Sequence, residues 1–434
     1  MSRINIFWFR RDLRLNDNVG LKAALTSGNK VLPVFIFDKD ILDDLPEQDA
    51  RVTFIHSTLQ QIRKRLKEDY NTTIAFYHGK PLEVFKQLIE DYSINAVFTN
   101  RDYEPYAKER DKSISELLNS KGIGFKTYKD HLIFEKNEVV KNNGEPYLVY
   151  TPYMKKWKSE FKKIDFNVVD SEKYLDNLVK NVDLPNLTLE DMGFRTSTQK
   201  VPDYKLTETL IDNYGETRDT PSVEGTSRLS PYLRFGLVGY REVVKKALQS
   251  SDDTYLNELI WREFYAMILY HYPESSHKAF KPKYDNIEWR NNEVEFEKWK
   301  NGKTGYPIVD AGMRQLNKTG WMHNRVRMIV GSFLCKHLLI DWRWGEAYFA
   351  EKLLDYEMAS NVGGWQWVAG SGVDAAPYFR VFNPYSQTDK FDKQKKYIKK
   401  WVPEVESSSY PKPMVDHKMA RERCLETYKS GLNG

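Results

Sequence analysis

The chain has 434 residues, a length at which two domains are the default expectation. A hydrophobic fraction of 41% and a charged fraction of 29% belong to a water-soluble globular protein, and the lack of any apolar run of membrane-spanning length excludes a helical membrane protein. The net charge of +5 permits a nucleic-acid partner without demanding one, and two cysteines, Cys335 and Cys424, exclude a disulfide framework or a self-contained iron–sulfur site.

The N-terminus runs straight into Ile4-Asn-Ile-Phe-Trp8, with Arg10 and Arg11 behind it. This reads as a first strand rather than a signal peptide, and so as a cytoplasmic protein. Apolar, β-branched runs at Ile4–Phe9, Val31–Phe37, Thr73–Tyr77, Ala96–Thr99 and Phe125–Tyr128 predict five strands. Helical patterns at Asp17–Thr26, Ala50–Asp69, Pro81–Asp91 and Tyr106–Lys121 lie between them. That alternation predicts an N-terminal α/β domain with a doubly wound, parallel, five-stranded sheet and right-handed crossovers. No G-x-G-x-x-G follows any strand, so an ordinary dinucleotide fingerprint is absent.

From residue 129 to 195 the pattern weakens. Asn142-Asn-Gly-Glu-Pro146 is a turn signal, and Val182–Asp191 mixes a proline with scattered polar residues, as an inter-domain connector does. Beyond residue 196 strands disappear. Helices are predicted at Lys205–Tyr214, Val238–Gln249, Asp253–Tyr272, Tyr306–Lys318, Trp321–Leu339 and Trp344–Asp355. The expected organisation is an α/β domain over 1–128, a connector over 129–195 and an all-α domain over 196–434.

Nine of the eleven tryptophans follow residue 250, which predicts an aromatic-rich site in the second half. The densest tract is Asp355-Tyr-Glu-Met-Ala-Ser-Asn361-Val-Gly-Gly-Trp365-Gln-Trp367. Gly363 and Gly364 allow close approach or a sharp turn. If the segment is extended or irregular, Trp365 and Trp367 point roughly the same way, toward stacked rings of a cofactor or of nucleic-acid bases.

Elsewhere, Glu258, Trp261 and Arg262 share one helix face, and Asn324, Arg327 and Met328 repeat that spacing beside Trp321 and Arg325. Such a face is either a site or a salt-bridged helix seam, for example Glu258 or Asp355 with Arg327. Gly225-Thr-Ser-Arg-Leu-Ser-Pro231 is a small-residue turn that opens a helix, either as an ordinary N-cap or as a phosphate cradle. Arg218, Arg325 and Arg380 recur near these elements, each a solvated residue when read alone. The basic, aromatic run Lys390–Lys400 fits a solvated helix or one that touches a phosphate backbone. No metal-ligand spacing stands out among the eight histidines, and no nucleophile–base pair is visible.

Together these segments resemble the photolyase/cryptochrome flavoproteins over nearly the whole chain. The resemblance rests on Trp8-Phe-Arg-Arg-Asp-Leu-Arg14-Leu-Asn-Asp-Asn18, Glu224-Gly-Thr-Ser-Arg-Leu-Ser230, Glu258-Leu-Ile-Trp-Arg-Glu-Phe-Tyr265 and Lys303-Thr-Gly-Tyr-Pro-Ile-Val-Asp310. Gly320-Trp-Met-His-Asn-Arg-Val-Arg-Met328, the tryptophan tract and Tyr378-Phe-Arg-Val-Phe-Asn-Pro384 follow in family order. The Asn324–Met328 stretch is most similar to the class I cyclobutane pyrimidine dimer photolyases.

The resemblance implies FAD in the helical domain. Tyr214, Thr226, Ser227, Arg228, Leu229 and Ser230 would hold its phosphates and ribityl chain. Arg262, Trp321, Asn324, Arg327, Asp355, Glu357 and Asn361 would line the remainder, with Asn361 at the flavin N5. Glu258, Trp261, Asn324, Met328 and Trp367 would line a pocket for the dimer, with Trp261 and Trp367 as an aromatic wedge that also meets DNA. Arg218, Arg325 and Arg380 would grip flanking phosphates. Trp365, Trp342 and Trp289 would carry electrons from the surface to the flavin.

The implied reaction is light-driven repair of pyrimidine dimers in double- or single-stranded DNA by a monomer. Reduced FAD would lend an electron to the flipped-out dimer. The alternative is a photosensory cryptochrome. Three positions depart from the family pattern: Val362 replaces a second asparagine, Glu357 replaces an aspartate, and Asp102–Asp111 lacks an Asn-Glu pair used for folate. The antenna is therefore left open: folate, deazaflavin, flavin or no second chromophore.

Overall fold

A computed structural model describes residues 3–433. The chain folds into two compact units, neither of them continuous in sequence. The first comprises the residues up to 138 with 159–202 and 229–249; the second comprises 139–158, 203–228 and the residues from 250 on.

The first unit carries the five predicted strands: β1 (Ile4–Phe9), β2 (Val31–Asp38), β3 (Ala75–Gly79), β4 (Ile94–Asn100) and β5 (Gly124–Tyr128). All neighbours pair in parallel, in the order β3-β2-β1-β4-β5. Four main helices alternate with them: α1 (Val19–Leu25), α2 (Ala50–Tyr70), α3 (Pro81–Asp91) and α4 (Pro105–Ser120). The central β1 has no solvent face. Phe7 and Phe9 pack with Leu21 of α1 and Leu59 and Leu66 of α2. Ile6 and Trp8, pointing the other way, pack with Phe85 and Leu88 of α3 and Ile114 and Leu118 of α4. This two-sided burial explains why the strands read as continuous apolar runs rather than alternating ones. The helix starts obey local chemistry. Asn18 accepts the Leu21 N–H at 3.0 Å, Asp49 accepts that of Arg51 at 2.7 Å, and prolines open α3 and α4.

The segment 229–249 joins this unit through Phe235 and Leu237, which pack on the sheet core, and through a buried arginine. Arg241, on the helix Tyr240–Ala247, reaches Asp17 at 2.6 Å and Asp130 at 2.7 Å, and Arg14 also meets Asp130, at 2.6 Å. Burial opposes the charge on Asp130, yet the two guanidiniums outweigh it and hold the carboxyl down at about 2.

The second unit is helical. Its main elements after α5 (Tyr150–Phe161, which opens in this unit) are α6 (Thr254–His271), α7 (Pro307–Thr319), α8 (Asn324–Ser332), α9 (Trp342–Lys352), α10 (Met358–Ala369), α11 (Pro384–Phe391), α12 (Lys396–Trp401) and α13 (His417–Asn433). Its core gathers Trp299, Tyr306, Met313, Val330, Trp342, Phe349 and Trp365.

Four expectations change. From Met358 on, the tryptophan tract is not extended or irregular but helical, as part of α10. Gly363 serves close packing there, since a Cβ would collide with the Tyr265 ring. The predicted helix Trp321–Leu339 starts only at Asn324, capped by the His323 ring, which accepts the Arg325 N–H at 3.1 Å, and it gives way to a π-turn over Phe333–His337. The basic run 390–400 breaks between α11 and α12. Lys395 is left-handed there (φ 53°), and Asp392 accepts the N–H groups of Tyr397 and Ile398. Finally, α5 stands inside the expected connector, where Tyr150, Tyr153 and Trp157 are buried along one face.

Candidate active site

A cavity of about 370 Å³ opens in the second unit. α6 contributes Glu258, Trp261, Arg262 and Tyr265 to its wall, and α8 contributes Asn324, Arg327 and Met328. Asp355 and Glu357 come from the segment before α10, and Asn361, Gly364, Trp365 and Trp367 from α10 itself; Arg218 completes the wall. Thus the two helix faces and the tryptophan tract that stood out in the sequence converge on one space. In a helix, residues two apart lie about 200° apart. Trp365 accordingly turns into the core while Trp367 stays half-buried, though both border the cavity.

Three ion pairs set the electrostatics. Arg327 forks onto Asp355 at 2.8 and 3.1 Å and donates its Nε–H to the Met322 carbonyl at 2.8 Å. Arg262 meets Glu357 at 3.0 Å, and Arg218 meets Glu258 at 2.5 Å. The helix seam anticipated between Arg327 and Asp355 therefore exists, and it lies on the cavity wall. Charge pairs held this way are oriented before any ligand arrives. Asn361 donates its amide hydrogens to Glu346, at 2.9 Å to the carboxylate and 3.1 Å to the main-chain carbonyl. Burial pushes the Glu346 carboxyl up, while the donors Asn361 and Tyr356 pull it back. Sequence reading passed over Glu346, although Trp342, Glu346 and Phe349 fall at i, i+4 and i+7 on the inward face of α9.

The tryptophans divide by depth. Trp365 packs edge-on against Phe349 (4.9 Å, 80°) and Trp299 (6.1 Å, 69°). Its ring also lies on the backbone of α9 at Gly345, where a Cβ would collide with it. Trp342, one turn before Gly345, is buried in the same core. Trp289 is half-buried and sits edge-on to Tyr428 at 5.9 Å.

Other candidates lie off this wall. Thr226, Arg228 and Trp321 line a separate cavity of about 80 Å³ together with His323. Burial pushes His323 down to about 4. Arg228, left-handed at φ 53°, pairs with Glu224 and lies over the Trp321 ring at 5.4 Å. Ser227 accepts the Tyr255 hydroxyl at 2.9 Å, and Tyr214 lies beneath Arg218 at 5.5 Å. Leu229 and Ser230 belong to the first unit, where Ser230 starts a five-residue helix. Arg325 pairs with Asp219 at 2.8 Å and covers the Phe391 ring at 4.2 Å, whereas Arg380 is exposed. Val362 does not face the main cavity. It is buried on the other side of α10 beside Ile268, Leu269 and Phe280.

The main cavity suits a flat, polar-edged ring system. A Cβ built on Gly364 would meet nothing within 4 Å, so the helix presents bare backbone to the space. Indole, amide and paired charges surround it. A parallel-sheet unit without a glycine fingerprint, together with a helical unit holding such a cavity, is the arrangement that the resemblance to the photolyase/cryptochrome flavoproteins implies.

Comparison with known proteins gives the same answer. Residues 5–172 match the DNA photolyase model, and residues 255–409 match the FAD binding domain of DNA photolyase. A deoxyribodipyrimidine photo-lyase of Vibrio cholerae is 36% identical, with 98% of this chain and 99% of that one covered. The crystal structure of a bacterial class III photolyase from Agrobacterium tumefaciens superimposes with a TM-score of 0.88 at 34% identity, covering 100% of this chain and 98% of that one. An archaeal photolyase from Sulfolobus tokodaii, whose structure holds two FAD molecules, gives 0.84 at 34% identity, covering 98% and 99%. The chain belongs to the DNA photolyase family.

Proposed function

We propose that this chain repairs UV-induced cyclobutane pyrimidine dimers in DNA with light and reduced FAD, as a cytoplasmic monomer acting on double- or single-stranded substrate. One observation supports the reading: residues proposed for the flavin and residues proposed for the dimer line a single cavity. Arg262, Arg327, Asp355, Glu357 and Asn361 share its wall with Glu258, Trp261, Asn324, Met328 and Trp367. No helix among the described residues is long and apolar enough to cross a membrane.

FAD bound in reduced form supplies light-driven one-electron chemistry with no net redox change. The chain's own residues hold and orient. The Arg327–Asp355 and Arg262–Glu357 pairs fix charge beside the ring system without net charge of their own. Asn361, its amide hydrogens committed to Glu346, offers its carbonyl oxygen as an acceptor. Trp261 and Trp367 exclude water from the pyrimidines, and Glu258 hydrogen-bonds their polar edge. Arg218, which pairs with Glu258, is proposed with Arg325 and Arg380 for the phosphates flanking the lesion. Thr226, Ser227, Arg228, Leu229 and Ser230 are proposed for the FAD phosphates, with Tyr214 and Trp321 beside them. Trp365, Trp342 and Trp289 are proposed as the electron path that reloads oxidised flavin. A flavin, deazaflavin or folate antenna remains part of the proposal, supported by the two-flavin archaeal relative.

The test is to incubate purified, reduced protein with a dimer-containing oligonucleotide, in blue light and in darkness, and follow recovery of thymine absorbance. Light-dependent recovery supports repair; equal traces in light and darkness overturn it in favour of a photosensor.

A further inference from the structure

Trp261 faces the cavity on one side, and what backs it on the other has no assigned role. Its ring is stacked on Tyr150 with centroids 3.7 Å apart and planes 8° from parallel. The remaining aromatic neighbours, Phe264 (5.5 Å, 82°) and Tyr265 (5.5 Å, 36°), are on α6 itself, three and four residues along. Those local contacts accompany any α6 helix. Tyr150 arrives from a distant part of the chain and does not line the cavity, so it covers the indole face turned away from substrate.

Tyr150 is itself held at several points. Its hydroxyl donates to the Asn257 carbonyl at 2.6 Å, one turn before Trp261 on α6. Its ring meets Phe264 edge-on at 5.9 Å. Its backbone N–H donates to the Asp374 carboxylate at 3.0 Å. Asp374 lies between α10, which carries Trp367, and the exposed Arg380, and it adopts a left-handed backbone (φ 45°) uncommon for a non-glycine residue. One residue thereby ties the helix bearing Trp261 to the segment that follows Trp367. Burial, and then the nearby Glu258 carboxylate, push the Tyr150 phenol up, so it remains a hydroxyl donor at working pH.

We propose that Tyr150 is a positioning residue of the lesion pocket: it fixes Trp261 flat before substrate arrives and ties that wall to the Asp374 segment. The inference rests on the reading of Trp261 as a wall of the dimer pocket. With Tyr150 present, the indole is stacked in place and has less rotamer freedom to lose when a flipped-out dimer docks against it. Without the stack, that ordering cost falls on the binding step, which is worth about 3- to 10-fold in affinity for a single large side chain.

The experiment compares Tyr150→Leu, Tyr150→Phe and Trp261→Ala in the FAD-bound enzyme. Binding is measured to a duplex carrying one thymine dimer and to the same duplex undamaged, and light-driven repair is measured at saturating substrate. Tyr150→Leu is expected to weaken dimer binding about 3- to 10-fold. It should leave undamaged-duplex affinity, FAD content and saturated repair rate unchanged, so that KM moves and kcat does not. Tyr150→Phe, which keeps the flat ring, is expected to restore dimer affinity. Should Tyr150→Leu fold poorly, Tyr150→Met provides apolar bulk without a flat face. Unchanged dimer affinity, an equal loss for undamaged DNA, or a loss confined to FAD retention would each overturn the proposal. If Trp261→Ala also leaves dimer binding intact, the pocket reading itself has failed; if only the Tyr150 variants do, the positioning role alone has.

Discussion

Gly364→Ala separates the needs of the fold from those of the ligand. Gly364 sits inside α10 with ordinary helical backbone, and a Cβ there would touch nothing within 4 Å. Replacing an interior helical glycine by alanine gains about 1 kcal/mol from reduced backbone entropy in the unfolded chain. With no clash to offset it, flavin-free protein should become more stable by about that amount. The same methyl points into the space proposed for the flavin. Overpacking a fitted site by one methyl costs about 1–3 kcal/mol, or roughly 5- to 150-fold in affinity. The assay pairs thermal unfolding of stripped protein with the flavin-to-protein absorbance ratio of the enzyme as purified. Gly363→Ala is the control: its Cβ would collide with Tyr265, so it should destabilise the stripped protein. If Gly364→Ala lowers apo stability, or keeps full flavin content with an unaltered spectrum, the placement of the ring system against α10 is wrong.

Val362→Asn would bury an amide among Ile268, Leu269 and Phe280 and should cost about 1–3 kcal/mol in unfolding experiments. It should leave the flavin absorption spectrum unchanged; a shifted spectrum would show that the position does reach the ring. Trp342→Phe should abolish most light-driven reduction of oxidised flavin while chemically reduced enzyme repairs normally, and loss of both would contradict a role confined to electron supply. Acid stability follows from two buried histidines. Burial pushes His337 down to about 3, with His417 adding to the effect, and holds His323 at about 4, against an ordinary 6.5. Between those values and 6.5 the unfolded chain binds protons that the folded one refuses, so stability should fall as pH drops below 6.5. The slope is about 1.4 kcal/mol per pH unit for each ring. His337→Gln should remove about half of that slope in denaturant titrations at stepped pH.

The sheet was legible because its strands are buried on both faces, which leaves runs such as Val31–Phe37 almost without polar interruption. The helix faces at Glu258/Trp261/Arg262 and Asn324/Arg327/Met328 were legible because polar groups stand out at helical spacing in otherwise apolar stretches. The conformation of residues 358–367 differs from the extended or irregular expectation for a physical reason: paired glycines signal a turn locally, but here tertiary packing against Tyr265 requires one of them and the cavity leaves room beside the other. The helix from Tyr150 was missed because the neighbouring Asn-Gly-Glu-Pro turn and charged flanks obscure its three buried aromatics. Long-range pairings, such as Arg218 with Glu258 or Asn361 with Glu346, leave no spacing signature, because their partners lie on different elements.

Arg241 also places a condition on synthesis. A nascent chain that has reached residue 202 contains every strand of the sheet, yet Asp17 still lacks the Arg241 guanidinium that pairs with it in the finished unit, and Asp130 has only Arg14 of its two partners. A buried charge without its partner costs about 3–5 kcal/mol, a large share of the roughly 5–15 kcal/mol that holds a typical domain folded. The sheet should therefore stay open to proteases on the ribosome until residues 229–249 have cleared the exit tunnel. Its completion is thus deferred to a moment when the first of the second unit's segments have already emerged.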